Sequence, residues 1–424
     1  MNINVQRWVD RWVGIPLCAA VSAVDAISAR FRPASTADSA PRAIVIILLS
    51  EMGSLVLAHD MFTRLKTRYP NAQLHALLFG KNREILDLMR VIDPANVHTV
   101  NDKSLSGLIG SLWRAIGELR RAHVDVAIDC ELFSRISSLL SYASGATVRV
   151  GFHRHTQEGL YRGSHINRRV PYNPYCHISA QFLTLARAID STANPKSKLP
   201  VVVTSQAPPH VQLDSALIEN ISQRLVADFP AIADKPLVLV YPGGGMLPIR
   251  AWPLAAYTAL CEGLVLDGCA VAVIGLKDDQ ALARELVANV HQAHPSSAVI
   301  DLTGYTRSIA ELLALFHVAR LLVTNDGGPG QFAALTPIWT LMLFGPETPA
   351  LYAPLTPRCH SFYSQWPCSP CLTAYNHRSS YCDGDNQCLK VIAPGAVLDK
   401  ARECLASSMD KGLQATLVNG KVTA

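Results

Sequence analysis

The sequence predicts an α/β chain of two doubly wound parallel-sheet domains facing a cleft, with an amphipathic helix ahead of them. Three observations carry this. Short apolar runs alternate with stretches of helical period along most of the 424 residues, the pattern of strands joined by crossover helices. The alternation occurs twice, on either side of a proline-rich passage at Pro208 and Pro209. Several loops that follow the strands are rich in glycine and proline, where sheets of this kind take their ligands.

Composition agrees. Apolar residues make up 49% and charged residues 17%, against about 25% charged in average soluble chains, which excludes disorder and allows a large core. Lys and Arg number 38 and Asp and Glu 33, a net charge of +5. That is too mild for a nucleic-acid partner, and no basic block exceeds a pair. Most of the eleven cysteines stand singly in apolar runs, as Cys130, Cys261 and Cys269 do, which fits a reducing compartment.

The first element lies in residues 7–32. Its uncharged stretch, Trp12 to Val24, has 13 residues, short of the roughly 20 a spanning helix needs. Arg7, Arg11, Arg30 and Arg32 flank it, and Trp8 and Trp12 mark its edge. Asp10 and Asp25 argue against a cleaved leader. Two readings stay open: an interfacial helix on a membrane surface, or a helix packed on the protein itself. Pro33 to Pro41 reads as a linker, so residues 1–32 are expected to be dispensable for folding.

Strands are then predicted at Ala43–Leu49, Leu74–Phe79, Val124–Asp129 and Val148–Gly151, with a helix over Leu105–Arg121. The second half gives strands at Leu237–Tyr241, Ala270–Gly275, Leu321–Thr324 and Trp339–Phe344, with Asp301 ending another. A helix runs from Pro253 to about Leu266, stopped by Gly268. Ser308 and Glu311 open another as a capping box. The domains fall at 42–205 and 206–400, flanked by the helix and linker at 1–41 and a C-terminal helix and tail at 401–424.

Four loops at strand carboxyl ends matter: SEMGS, PGGGMLPIRAWP, NDGGPG and GPETP. Glycines let backbone N–H groups approach a phosphate. Arg250 in one loop and Asp326 in another suggest a nucleotide-diphosphate site. The glycine order fits neither a Walker loop nor a dinucleotide fingerprint.

These residues resemble a known family. PGGG with Arg250-Ala-Trp252-Pro253, then DLTGYTRSIAEL, NDGGPGQFAA and FGPETP, look like the C-terminal half of family 9 glycosyltransferases, the heptosyltransferases of lipopolysaccharide assembly. The first half agrees more loosely, through its buried first strand, the helix ending at Tyr69-Pro70, and RVGFHR with His177. The resemblance spans roughly Ala43 to Leu398. It implies a GT-B fold with two Rossmann-like domains and an inverting transfer from a nucleotide-sugar donor, ADP-heptose in the best-known members. It also implies a lipid-linked saccharide acceptor, no cofactor for the chemistry, and a peripheral place on the cytoplasmic face of a bacterial inner membrane.

Carried over residue by residue, Gly243, Gly244, Gly245, Arg250, Asp326, Gly327, Gly328 and Pro329 would meet the donor, Arg250 replacing the family's usual Lys. Gly327 replaces a Ser and Gln331 a His. The family's presumed base, an Asp directly after the first loop's glycine, is Ser54 here. Glu51, three residues earlier, is the candidate base, an exposed loop carboxylate being the alternative. Arg250 would stabilise the leaving diphosphate. Ser54 reads as a helix cap or hydroxyl contact. Arg154 and His155 could meet an anionic acceptor or form a solvated basic loop; Asp60 and Glu131 are weaker carboxylates. Cys368-Ser-Pro-Cys371, Cys382 and Cys388 could hold a structural zinc or iron in tetrahedral sulfur geometry, or be free thiols or a disulfide. A branch of the family carries metal-binding cysteines. The alternative activities are therefore protein O-heptosyl transfer, or sugar-nucleotide binding with little turnover.

Overall fold

The computed structural model describes residues 3–31, 40–49, 51–132, 134–154, 161–191, 207–245, 247–375, 378–380, 382–409, 416–418 and 421–423. The chain divides into two compact units: residues 1–206 with 373–378, and 207–372 with 379–424.

The first unit holds a six-stranded parallel sheet: β1 (Ala43–Ile47), β2 (Gln73–Phe79), β3 (Val97–Val100), β4 (Val126–Asp129), β5 (Val148–Phe152) and β6 (Arg168–Val170). Their order is β3-β2-β1-β4-β5-β6, so the direction of winding reverses between β1 and β4. The second unit repeats the plan with β7 (Leu237–Tyr241), β8 (Ala270–Gly275), β9 (Val299–Thr303), β10 (Leu321–Asn325), β11 (Trp339–Phe344) and β12 (Cys359–Tyr363). Its order is β12-β11-β10-β7-β8-β9, reversing between β10 and β7. Loops leaving a parallel sheet on either side of such a reversal go to opposite faces and open a crevice.

The central strands are the predicted apolar runs. Every residue of β1, β4, β7 and β10 is buried. Three of the four edge strands, β3, β6 and β12, are absent from the sequence reading. An edge strand has a neighbour on one side only, so VHTV, RRV and CHSFY carry no continuous apolar run. The fourth, β9, is predicted to end at Asp301 but continues to Thr303, whose N–H and hydroxyl both donate to the Asp301 carboxylate (2.8 and 2.7 Å). Helix Leu105–Arg121 has its predicted bounds. Ser308 caps helix Ile309–Val318 as expected, but the Glu311 carboxylate takes the Arg307 N–H, so the box is half formed. The last long helix begins at Pro394, ahead of the expected 401.

The N-terminal segment differs most from expectation. Helices α1 (Ile3–Trp12) and α2 (Gly14–Ala29) follow each other with one residue between them. Trp8–Ala29, 22 residues, is long and apolar enough to cross a membrane by length and composition, so the apolar stretch is not too short. It lies on the first unit. Asp10 accepts from the N–H groups of Arg135 and Ile136 (2.8 and 3.2 Å), capping helix Arg135–Ala143 from another part of the chain, and pairs with the Arg135 guanidinium (3.1 Å). Asp25 pairs with the buried Arg149 (2.6 Å). Gly14 lies so close to Arg135 that an added Cβ would stand 2.9 Å from that side chain's Cβ. Ser22 accepts from the Ser164 N–H (2.8 Å).

These contacts argue against the expectation that residues 1–32 are dispensable. Removing those residues takes the carboxylate partner from two guanidinium groups, Arg135 and Arg149, whose side chains are 4% and 2% exposed. Breaking a buried ion pair from one side typically costs about 3–5 kcal/mol. Asp25→Ala should lower the unfolding free energy by that much, read as a lower urea midpoint, and deletion of residues 1–31 by more. Unchanged midpoints would show that the helix contributes nothing to the first unit.

Candidate functional site

In the first unit the chemistry gathers at the crevice beside β1. Helix α3 (Met52–Leu57) starts directly after the strand, with Glu51 at its N-cap position and its side chain not capping. Gly53 is therefore helical, not the sharp turn its place after a strand suggests. The Glu51 carboxylate is held from two directions. Ser54, one helical turn on, donates its hydroxyl to Oε2 (2.8 Å). Arg378, far along the chain, bonds both oxygens, Nη1 to Oε1 and Nη2 to Oε2 (3.3 Å). So Ser54 does not cap the helix; its hydroxyl is a contact of Glu51.

Other carboxylates nearby have structural work. Glu131, after β4, accepts the Leu49 N–H (2.6 Å) and ties the two loops together. Asp60 is buried and paired with Arg64 (3.1 Å). Asp129, at the end of β4, is enclosed with Arg162 and takes the Ser137 hydroxyl (3.0 Å). Burial pushes its pKa up to about 6 against the pull of Arg162. On the proposed acceptor side, Arg154 is exposed and lies over the Tyr161 ring, 5.2 Å from its centre. His155 lies outside the described residues. Arg154 is not joined to Glu51.

In the second unit the predicted donor residues converge at the β7/β10 crevice. Asn325, wholly buried at the end of β10, is the staple. Its amide donates to the carbonyls of Pro242 and Gly243 (3.0 and 2.9 Å), and its oxygen accepts the Trp252 N–H (2.9 Å). That fixes both ends of the glycine loop. Gly244 is required by packing, since a Cβ would lie 2.7 Å from the Leu247 carbonyl; at Gly243 a Cβ would lie 2.7 Å from Asp279 Oδ1 and displace that side chain. Gly245 has φ of +59°, which favours glycine. Gly327, extended, precedes helix Gly328–Ala333, which carries Pro329. Gln331, in the family's His position, is buried and bonds the Tyr352 carbonyl (2.7 Å).

Arg250 reaches this crevice already paired. Its Nη2 lies 2.6 Å from Glu347 and its Nε 3.6 Å from Asp326. Burial alone would pull the guanidinium pKa down, but Asp326 and Glu347 outweigh it and the result is upward. Burial pushes both carboxyls up, Glu347 to about 7. One guanidinium thus faces two carboxyls, both pushed toward their protonated forms by burial.

The four C-terminal cysteines do not fit a tetrahedral metal site as placed. Among the described residues no group of three or more His, Cys, Asp or Glu is arranged to hold a metal ion. Cys368 and Cys382 are exposed and Cys388 is buried. The Ser380 hydroxyl donates to Cys371 Sγ (3.1 Å), and the Cys382 thiol to Asn386 (3.3 Å). Burial, reinforced by Cys371, Cys368 and Cys382, pushes the Cys388 thiol up to about 11.

Three site residues escaped the sequence reading. Asn325 and Glu347 stand inside quoted loops, NDGGPG and GPETP, the first of them one position before Asp326. Arg378 had no local signal at all.

Two doubly wound parallel sheets, each with its polar residues collected at the reversal of strand order, define a two-domain transferase of the GT-B type. The model of glycosyltransferase family 9 (heptosyltransferase) matches residues 111–381. The chain belongs to that family and is a glycosyltransferase. Lipooligosaccharide heptosyltransferase 2 of Haemophilus ducreyi is 26% identical over 318 residues, covering 74% of this chain and 86% of that protein. Lipopolysaccharide heptosyltransferase 2 of Salmonella typhimurium is 22% identical over 368 residues, 86% and 98% of the two chains. The structure of E. coli ADP-heptose lps heptosyltransferase II superimposes with a TM-score of 0.67 at 20% identity, covering 87% of this chain and 99% of that one.

The Glu347 pair has a measurable signature. A carboxyl whose pKa is raised on folding stabilises the native state less as pH climbs from its unfolded value of 4.5 to about 7. Glu347→Gln keeps an oxygen for Arg250 and removes the titration. Its stability relative to wild type should rise between pH 5 and pH 8 by on the order of 3 kcal/mol. A flat difference in urea midpoints across that range would mean Glu347 stays ionised.

Proposed function

We propose that the chain moves a heptose from ADP-heptose onto a lipopolysaccharide-core acceptor with inversion at the anomeric carbon. The observation that carries this reading is the β7/β10 crevice, where Arg250 is held by Asp326 and Glu347 beside a glycine loop stapled by Asn325. In the reaction the acceptor hydroxyl attacks the anomeric carbon as the bond to the diphosphate oxygen breaks. The hydroxyl proton passes to Glu51, and the diphosphate leaves with its charge met by Arg250 and loop amides. When the diphosphate approaches, Glu347 can take up a proton and release Arg250 from one of its two carboxyls. The roles divide between the units: the first presents the base, the second binds the donor.

A second reading, donor binding with little turnover, is favoured by Ser54 in the family's aspartate position. ADP release from ADP-heptose with inner-core-truncated lipopolysaccharide separates the two. Glu51→Gln should keep the thermal shift given by ADP, which should exceed those of GDP and UDP, and lose about 10²–10⁴ in turnover. A wild type that binds ADP and turns nothing over supports the second reading. Full activity in Glu51→Gln would move the base elsewhere.

We also infer peripheral attachment to the cytoplasmic face of the inner membrane. What supports it is the inverted character of α2. Its buried positions are the small residues Gly14, Cys18 and Ser22, while Ile15, Leu17, Val24 and Ile27 point outward. Trp8, Trp12 and Phe31 are also exposed, and Arg11 and Arg30 lie alongside. A triple change of Leu17, Val24 and Ile27 to Ser should leave the ion pairs intact and abolish sedimentation with phosphatidylglycerol vesicles. Equal sedimentation would remove this attachment.

A further inference from the structure

We propose that Arg378 is a positioning residue for the transfer reaction, holding the Glu51 carboxylate so that one lone-pair direction is left for the acceptor hydroxyl. The inference rests on Glu51 being the base. An ionised carboxylate offers about four acceptor positions on its two oxygens. Here Oε2 takes the Ser54 hydroxyl and Arg378 Nη2, and Oε1 takes Arg378 Nη1. Among the described residues three positions are filled, and the fourth is on Oε1. The Glu51 side chain is 33% exposed, so that position can receive a proton from outside the fold. A two-pronged guanidinium fixes the plane of the carboxylate, which a lone ammonium does not.

The late segment carrying Arg378 is itself anchored. The Tyr375 hydroxyl donates to the Tyr172 carbonyl (3.3 Å), and the two rings meet edge to face at 5.7 Å. Tyr172 packs in the same way on Phe152 at the end of β5. The Arg378 N–H returns to the Thr373 carbonyl (2.9 Å), closing the turn. Residues 373–378 thus belong with the first unit although the chain on either side belongs to the second. That placement brings a guanidinium to Glu51.

The test measures ADP release by the full chain from ADP-heptose, with inner-core-truncated lipopolysaccharide as acceptor. Arg378→Gln should lower kcat about 10²-fold, the scale of a misplaced catalytic group, with KM for ADP-heptose unchanged. Arg378→Lys should fall between. Guanidinium at tens of millimolar should restore part of the turnover of Arg378→Ala, which mere loss of a structural contact would not show. The double variant Glu51→Gln/Arg378→Gln should be no slower than Glu51→Gln alone. Wild-type kcat in Arg378→Gln beside an inactive Glu51→Gln overturns this proposal and leaves Glu51 as base, as does a folded but inactive Arg378→Ala that guanidinium does not rescue. Full turnover in Glu51→Gln, or none in wild type, overturns the underlying reading and this one with it.

Discussion

The reversal of strand order in each parallel sheet decides where everything else can sit. β1 lies between β2 and β4, and β7 between β10 and β8. The loops leaving β1 and β4 must part to opposite faces, as must those leaving β7 and β10. In both units polar side chains span the gap so created. Glu131 reaches from the β4 loop to the Leu49 N–H, and Asn325 from β10 to the carbonyls of the β7 loop. The crevices are thus stapled, and the residues offered for chemistry, Glu51 and Arg250, stand on rigid surroundings.

The same chain spends buried charge freely. Arg149 with Asp25, Arg162 with Asp129, and Arg250 with Asp326 and Glu347 are all sunk below the surface. Such pairs contribute little net stability against an apolar replacement. What they secure is placement. The first fastens the N-terminal helix. The second sets the start of helix Arg135–Ala143 against β4. The third differs in stoichiometry, with one cation against two acids, and burial pushes both of those carboxyls up.

Legibility in the sequence followed solvent exposure and distance along the chain. Central strands could be read because burial on both faces demands unbroken apolar runs; β3, β6 and β12 could not, because an edge relaxes that demand. Glycine loops could be read because their backbone geometry and packing exclude a side chain, as Gly244 and Gly245 show. Asp10 and Asp25 were visible only as interruptions of an apolar stretch. Their partners, Arg135 and Arg149, lie more than 120 residues away. Arg378, 327 residues from Glu51, is the extreme case. No local pattern encodes a contact of that span.

Spacing nonetheless says something about the altered first loop. The resemblance puts the family's acid where this chain has Ser54, the third residue of α3. Three residues of helix advance about 4.5 Å and return to nearly the same face. A glutamate at the N-cap position and a serine at the third helical residue therefore address the same volume, and here they touch. Moving the carboxylate back to 51 also takes it out of the helix ladder, to a residue with extended φ and ψ of −115° and 104°. The longer side chain gains freedom there that an aspartate inside the helix lacks. A base with more freedom needs more external restraint. On the proposed reading, the Ser54 hydroxyl and the Arg378 fork supply it from opposite ends of the sequence.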